Sequence, residues 1–169
     1  MSEADRIHAR CARRLIPFMA VLYTVGYLDR VNVSFAALTM NQDMSFSPTV
    51  FGIGAGVFFL GYFFFQVPAN LILREAGARR SVFWILLVWG AVSASTALVQ
   101  GPLSFYALRF LLGVAEAGFF PGMVLYLTYW FPPSYRARYT AGFMTAVPLA
   151  SIVGGPLSGL ILKADGLAG

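Results

Sequence analysis

The sequence predicts an all-α polytopic membrane protein, and composition is the first reason. Of 169 residues, 59% are hydrophobic and 11% are charged, with a mean hydropathy of +0.72, where an ordinary soluble domain carries about 25% charged residues. Second, apolar runs long enough to cross a bilayer, about 20 residues each, recur along nearly the whole chain. Third, the basic residues are sorted by loop. Arg6, Arg10, Arg13 and Arg14 precede the first run, Arg74, Arg79 and Arg80 follow the second, Arg136 and Arg138 follow the fourth, and only Lys163 follows an odd-numbered one. The positive-inside rule then places the N-terminus and the even-numbered junctions on the cytoplasmic side of the cell (inner) membrane. The net charge of +5 is thus a sign of topology, not of nucleic-acid binding.

Taken in order, residues 1–14 form a basic cytoplasmic tail, residues 15–162 a helical bundle, and residues 163–169 an external end. Helices are expected at about 15–40, 49–73, 81–100, 103–131 and 138–162. The first run is too long for a signal-peptide core and carries Asp29 and Arg30, so it stays as a helix. An external connection over 41–47 contains Asp43, and Ser47 before Pro48 supplies an N-cap and first-turn pair for the second helix. Gly101-Pro102 closes the third helix and opens the fourth. Short turns there and across Pro132, Pro133 and Ser134 make helices three, four and five antiparallel neighbours in sequence. Pro68, Pro121, Pro148 and Pro156 fall inside predicted spans, where each frees a carbonyl and bends its helix. Small residues at Gly52, Gly54, Gly56, Gly61, Gly118, Gly122, Ser151, Gly155 and Gly159 permit close helix packing.

Against this apolar background, Asp29 and Arg30 stand mid-run in the first helix, and Arg109 and Glu116 in the fourth. Each such charge costs roughly 2.5 to 3.5 kcal/mol at the bilayer centre, so an intramembrane ionisable residue is by default part of a substrate or proton pathway. At helical spacing, Tyr23, Tyr27, Arg30 and Ser34 form one stripe, with Asp29 and Asn32 beside it. Arg109, Gly113, Glu116 and Phe120 form a second, and Tyr62 and Gln66 a weaker third. The arginines are permanent cations that need anionic partners, whereas the carboxylates can take up and release protons. The bland alternative is that the four ions neutralise one another and pin helix one to helix four. Lone Cys11 and lone His8 offer neither a disulfide nor a metal centre. With no nucleophile elbow, zinc signature or phosphate loop, neither an enzyme nor a cofactor is expected.

The sequence resembles the major facilitator superfamily, and within it the anion:cation symporters, which include hexuronate, galactonate, tartrate and phthalate permeases. The likeness rests on Tyr27-Leu-Asp-Arg-Val-Asn-Val-Ser34, Gln66-Val-Pro-Ala-Asn70, Gly77-Ala-Arg-Arg80, Leu108-Arg-Phe-Leu-Leu-Gly-Val-Ala-Glu-Ala-Gly-Phe-Phe-Pro-Gly122 and Trp130-Phe-Pro132 followed by Arg136-Ala137. It implies five transmembrane helices from the N-terminal six-helix half of such a fold, and symport of a small organic anion with a proton. Arg30 would hold the substrate carboxylate, with Tyr27, Tyr62 and Glu116 also at the substrate. Asp29 and Glu116 would carry protons, and Asp29 would pair alternately with Arg109. Gly77, Arg79 and Arg80 would belong to the cytoplasmic gate. The sequence departs from that pattern where Arg74 stands in a usually acidic place, with Glu75 one position late, where Asn70 replaces a glycine, and where Tyr135 replaces an acid before Arg136. The resemblance also implies twelve helices, so a truncated N-terminal portion is expected, needing a C-terminal half for a full transport path. The alternative is a transport-inactive remnant, or a helical subunit that only packs with a partner.

Overall fold

A computed structural model describes residues 3–43 and 46–168, with side chains described at 3, 5–30 and 46–160. The described elements are helical: α1 (Glu3–Asp43), α2 (Pro48–Ala76), α3 (Ala78–Ser95) with a 3-10 turn (Thr96–Leu98), α4 (Pro102–Glu116), α5 (Phe119–Trp130), α6 (Pro133–Met144) and α7 (Ala146–Ala168). They form two compact units. A central unit covers Thr39–Tyr126, and a terminal unit joins Met1–Leu38 to Leu127–Gly169. Among the described residues, four segments are long and apolar enough to cross a bilayer: Pro48–Ala76, Ala78–Leu98, Pro102–Trp130 and Pro133–Leu160. The first expected span lies within α1. The side chains of Asn32, Ser34, Asp43 and Lys163 lie outside those described.

The central unit begins as its sequence dictates. Ser47 Oγ accepts the Val50 N–H at 3.3 Å, with Pro48 in the first turn, where a missing N–H costs nothing. At the far end of α2, Gly77 sits at φ +83°, and its N–H donates to the Leu73 carbonyl at 3.1 Å. That backbone geometry is open to glycine and strained for any residue with a Cβ, so Gly77 sets the turn into α3. The α3–α4 turn is fastened by Ser104, whose Oγ accepts the Gly101 N–H at 3.1 Å and donates to the Gly101 carbonyl at 2.8 Å.

Helices α2 and α4 then meet backbone to backbone. A Cβ on Gly113 would fall on the Phe58 carbonyl oxygen and 2.9 Å from the Tyr62 nitrogen, and one on Gly61 would fall on the Phe110 carbonyl oxygen. Lipid tails are as apolar as leucine, so helices associate in a bilayer through such close van der Waals fit. Gly54 faces the Phe105 ring, Gly118 faces Ala69 and Ile85, and Gly122 faces Leu73. At Gly52, Gly56 and Gly159 an added Cβ would meet no atom within 4 Å, so the small-residue pattern marks contact at only part of its positions.

Two expected spans are interrupted. The helix expected over 103–131 breaks between Glu116 and Phe119, and the one expected from 138 begins at Pro133 and breaks at Thr145. The causes are Pro121 and Pro148, which offer no N–H to the carbonyls four residues earlier, at Ala117 and Met144. The chain tightens instead: the Ala117 N–H donates to the Val114 carbonyl at 3.3 Å, and regular bonding resumes from the Gly122 N–H to the Gly118 carbonyl at 2.9 Å. Pro68 and Pro156 stay inside continuous helices.

In the terminal unit, α1 runs unbroken through the basic tail, starting at Glu3. Glu3 and Asp5 in its first turn suit the positive end of the helix dipole. Its inner face packs Ala12 and Met19, Ile16 lies 3.6 Å from where a Cβ on Gly142 would stand, and Tyr23 meets Phe143 edge-on at 5.7 Å.

Candidate functional site

The fold divides the sequence-predicted site residues between the units: Tyr27, Asp29 and Arg30 belong to the terminal one, and Tyr62, Gly77, Arg79, Arg80, Arg109 and Glu116 to the central one. In the central unit, Arg109 is only 7% exposed and Glu116 only 4%. They stand seven residues apart on α4, about 10 Å of helical rise, too far for a direct pair along the helix. The Arg109 guanidinium carbon lies 4.8 Å from the Phe58 ring centroid, and Phe58 stacks on Tyr62 with centroids 6.3 Å apart. A cation over an aromatic face gains about 0.5 to 2 kcal/mol as it is desolvated. Phe58 is in turn buried with Leu112 and Trp89, and Trp89 packs on Phe119 at 5.8 Å. Arg109 and Tyr62 therefore share one wall through Phe58, a residue that sequence reasoning missed. One turn beyond Tyr62, the Gln66 carbonyl accepts Asn70 Nδ2 at 2.8 Å, so the asparagine at a usual glycine position folds back on its own helix. Chemically, this wall holds a fixed cation over an aromatic face, and Glu116 is a second buried ion two turns further along the same helix.

In the terminal unit, Tyr27, Asp29 and Arg30 are half-buried on α1. One helix thus presents adjacent charges of opposite sign, with a tyrosine hydroxyl one turn away.

The expected gate residues lie at a turn. Arg79 and Arg80 are exposed at the start of α3, Arg74 and Glu75 are exposed at the end of α2, and Gly77 supplies the left-handed conformation between them. A second turn, the elbow between α5 and α6, holds what the sequence did not disclose. The Tyr135 hydroxyl donates to Asp5 Oδ1 at 2.6 Å. The His8 ring lies 5.5 Å from Tyr135 and 6.2 Å from Phe131, and Phe131 meets Tyr139 at 4.3 Å. The acid missing ahead of Arg136 is thus answered from the first helical turn of the chain. Arg136 has a task of its own: Nε donates to the Phe131 carbonyl at 2.9 Å and Nη2 to the Thr128 carbonyl at 3.2 Å. Thr128 would ordinarily receive the N–H of residue 132, but Pro132 has none, and the guanidinium fork takes its place. Helical spacing of Asp5, His8 and Ala12 is the one sequence signal for this contact, and it reads only once the tail is known to be helical.

Membrane-length helices, one of which buries an arginine and a glutamate, define a polytopic membrane protein. The sequence profile of the Major Facilitator Superfamily matches residues 19–167, and the chain belongs to that superfamily. It is 57% identical over 164 residues to a protein of Agrobacterium vitis described as "Putative tartrate transporter", a match covering 97% of this chain and 38% of that protein. It is 50% identical to the "Quinolone resistance transporter" of Acinetobacter baumannii, over 92% of this chain and 36% of that one. It is 44% identical to the "Inner membrane transport protein RhmT" of Escherichia coli, again over 92% and 36%. The chain therefore spans little more than a third of the length of these relatives.

Proposed function

We propose that this chain supplies the anion- and proton-handling charges of a secondary active transporter of the inner membrane, which moves a small organic anion such as a sugar acid together with a proton. The burial of Arg109 and Glu116 on one helix, 7% and 4% exposed, is the observation that carries this reading, because two ions at membrane depth cost roughly 5 to 7 kcal/mol, and ionisable residues so placed mark substrate and proton pathways. Arg30 holds the substrate carboxylate, with Tyr27 and Tyr62 donating hydroxyl contacts. Asp29 takes up the proton and pairs alternately with Arg109, and Glu116 is a second proton carrier at the substrate. Gly77, Arg79 and Arg80 serve the cytoplasmic gate, on the side where the N-terminus lies. The word tartrate in a relative's description supports a carboxylate substrate. The remaining transport path comes from sequence of the kind its relatives carry outside the matched region.

A chimera tests this reading. This chain replaces the matched segment of the Agrobacterium vitis relative, and tartrate uptake into membrane vesicles is followed with and without an inward proton gradient. Gradient-dependent uptake that Arg30→Ala abolishes, while the protein still reaches the membrane, is the expected result. Uptake unaffected by Arg30→Ala, or indifferent to the gradient, overturns the assignment.

A further inference from the structure

We propose that the arginine face at the start of α1 is a binding site for anionic phospholipid headgroups. Asp5 and His8 bind the α5–α6 elbow through Tyr135 and Phe131, and Ala12 is buried on the same side. That docking fixes the rotation of the helix. Arg6, Arg10, Arg13 and Arg14, at i, i+4, i+7 and i+8, fall on the opposite side, and all four are exposed.

The same side continues toward the membrane without a change of register. From Arg14, the positions i+4, i+7 and i+11 are Phe18, Val21 and Val25, which are 60%, 61% and 56% exposed. Along this face the exposed residues pass from mostly cationic, with Ile7 among them, to apolar at Phe18, Val21 and Val25 before the register reaches Asp29, a change that suits the boundary between headgroups and acyl chains. A headgroup layer is roughly 5 to 8 Å thick per leaflet, and Arg6 to Arg14 span about 12 Å of rise. Arg10, Arg13 and Arg14 therefore reach phosphates directly, and the long stem of Arg6 leans back toward them. Glu3 is the one acidic residue exposed beside the stripe, so a cationic surface faces a layer whose anionic lipids attract juxtamembrane basic residues. This lipid contact is independent of whether the chain transports an anion.

Cys11 is the chain's single cysteine and sits within this segment, which provides the test. The chain carries a fluorophore on Cys11 in phosphatidylcholine nanodiscs, doped with equal amounts of either phosphatidylglycerol or phosphatidylcholine spin-labelled near the headgroup. The phosphatidylglycerol quencher is expected to act about fivefold more strongly, with the preference collapsing at about 500 mM salt, where the Debye length is only a few Å. The preference should vanish when all four arginines become glutamine (Arg6→Gln, Arg10→Gln, Arg13→Gln, Arg14→Gln) and survive when all four become lysine. Equal quenching by the two lipids in the unaltered chain overturns the proposal, as does a preference retained by the glutamine variant. If the glutamine variant does not insert, the salt series on the unaltered chain decides, and a preference that salt leaves intact overturns the proposal.

Discussion

The α2–α4 seam and the α5–α6 elbow are both places where the chain is held tightly, and they are held in opposite ways. In the seam, Gly61 and Gly113 let carbonyl oxygens of the facing helix occupy the space where side chains would stand. In the elbow, Pro132 has removed a backbone donor, the Arg136 side chain serves the carbonyls in its place, and Tyr135 adds a side-chain bond to Asp5. A backbone contact has no replaceable part, so damage there is all or none. A side-chain clasp is a sum of separate bonds, so damage is graded.

The largest expected effect is therefore Gly113→Leu, which cannot be accommodated without parting α2 from α4. Loss of monodisperse protein in detergent is the outcome, while Gly52→Ala, at a position with open space around it, should leave elution unchanged. If Gly113→Leu behaves like Gly52→Ala, the contrast between seam and elbow fails. Next comes Gly77→Ala: forcing a Cβ onto φ +83° costs about 1 to 3 kcal/mol and should lower the thermal midpoint of purified chain by several degrees. Smaller again is Arg136→Gln, which removes a charged two-pronged cap from the Thr128 and Phe131 carbonyls, for a loss of about 1 to 2 kcal/mol. Arg136→Lys should recover only part of this, because an ammonium lacks the planar fork. The smallest is Tyr135→Phe, which removes one solvent-accessible hydrogen bond and should move the thermal midpoint least of the four. A double-mutant cycle with Asp5→Ala should return that same loss as coupling, and zero coupling would show that the two groups are held apart in solution.

Much of this was legible because it is local. Ser47-Pro48 and Gly101-Pro102 announced helix starts, and the four charges stood out against apolar neighbours without any structure. The prolines were only half legible. On paper Gly154-Gly155-Pro156 is a stronger breaker than Gly118 with Pro121, yet α7 runs through it while the fourth span breaks. The two sites differ in their surroundings: Gly118 and Gly122 are pressed against Ala69, Ile85 and Leu73, whereas an added Cβ at Gly159 would meet no atom within 4 Å, a difference set by neighbours distant in sequence. The Asp5–Tyr135 bond joins residues 130 positions apart, and no periodicity carries information over that distance. Phe58 was hidden for a related reason. Among sixteen phenylalanines nothing marks the one that lies under a guanidinium.

The break ahead of Pro121 also changes how the chain meets bilayers of different thickness. A continuous rod over Pro102–Trp130, 29 residues, would measure about 43 Å against a hydrocarbon layer of about 30 Å, and could shorten its crossing only by leaning as a whole. The break at Ala117–Gly118 divides that length into two shorter rods, so the tilt of each is set by the side chains packed against it.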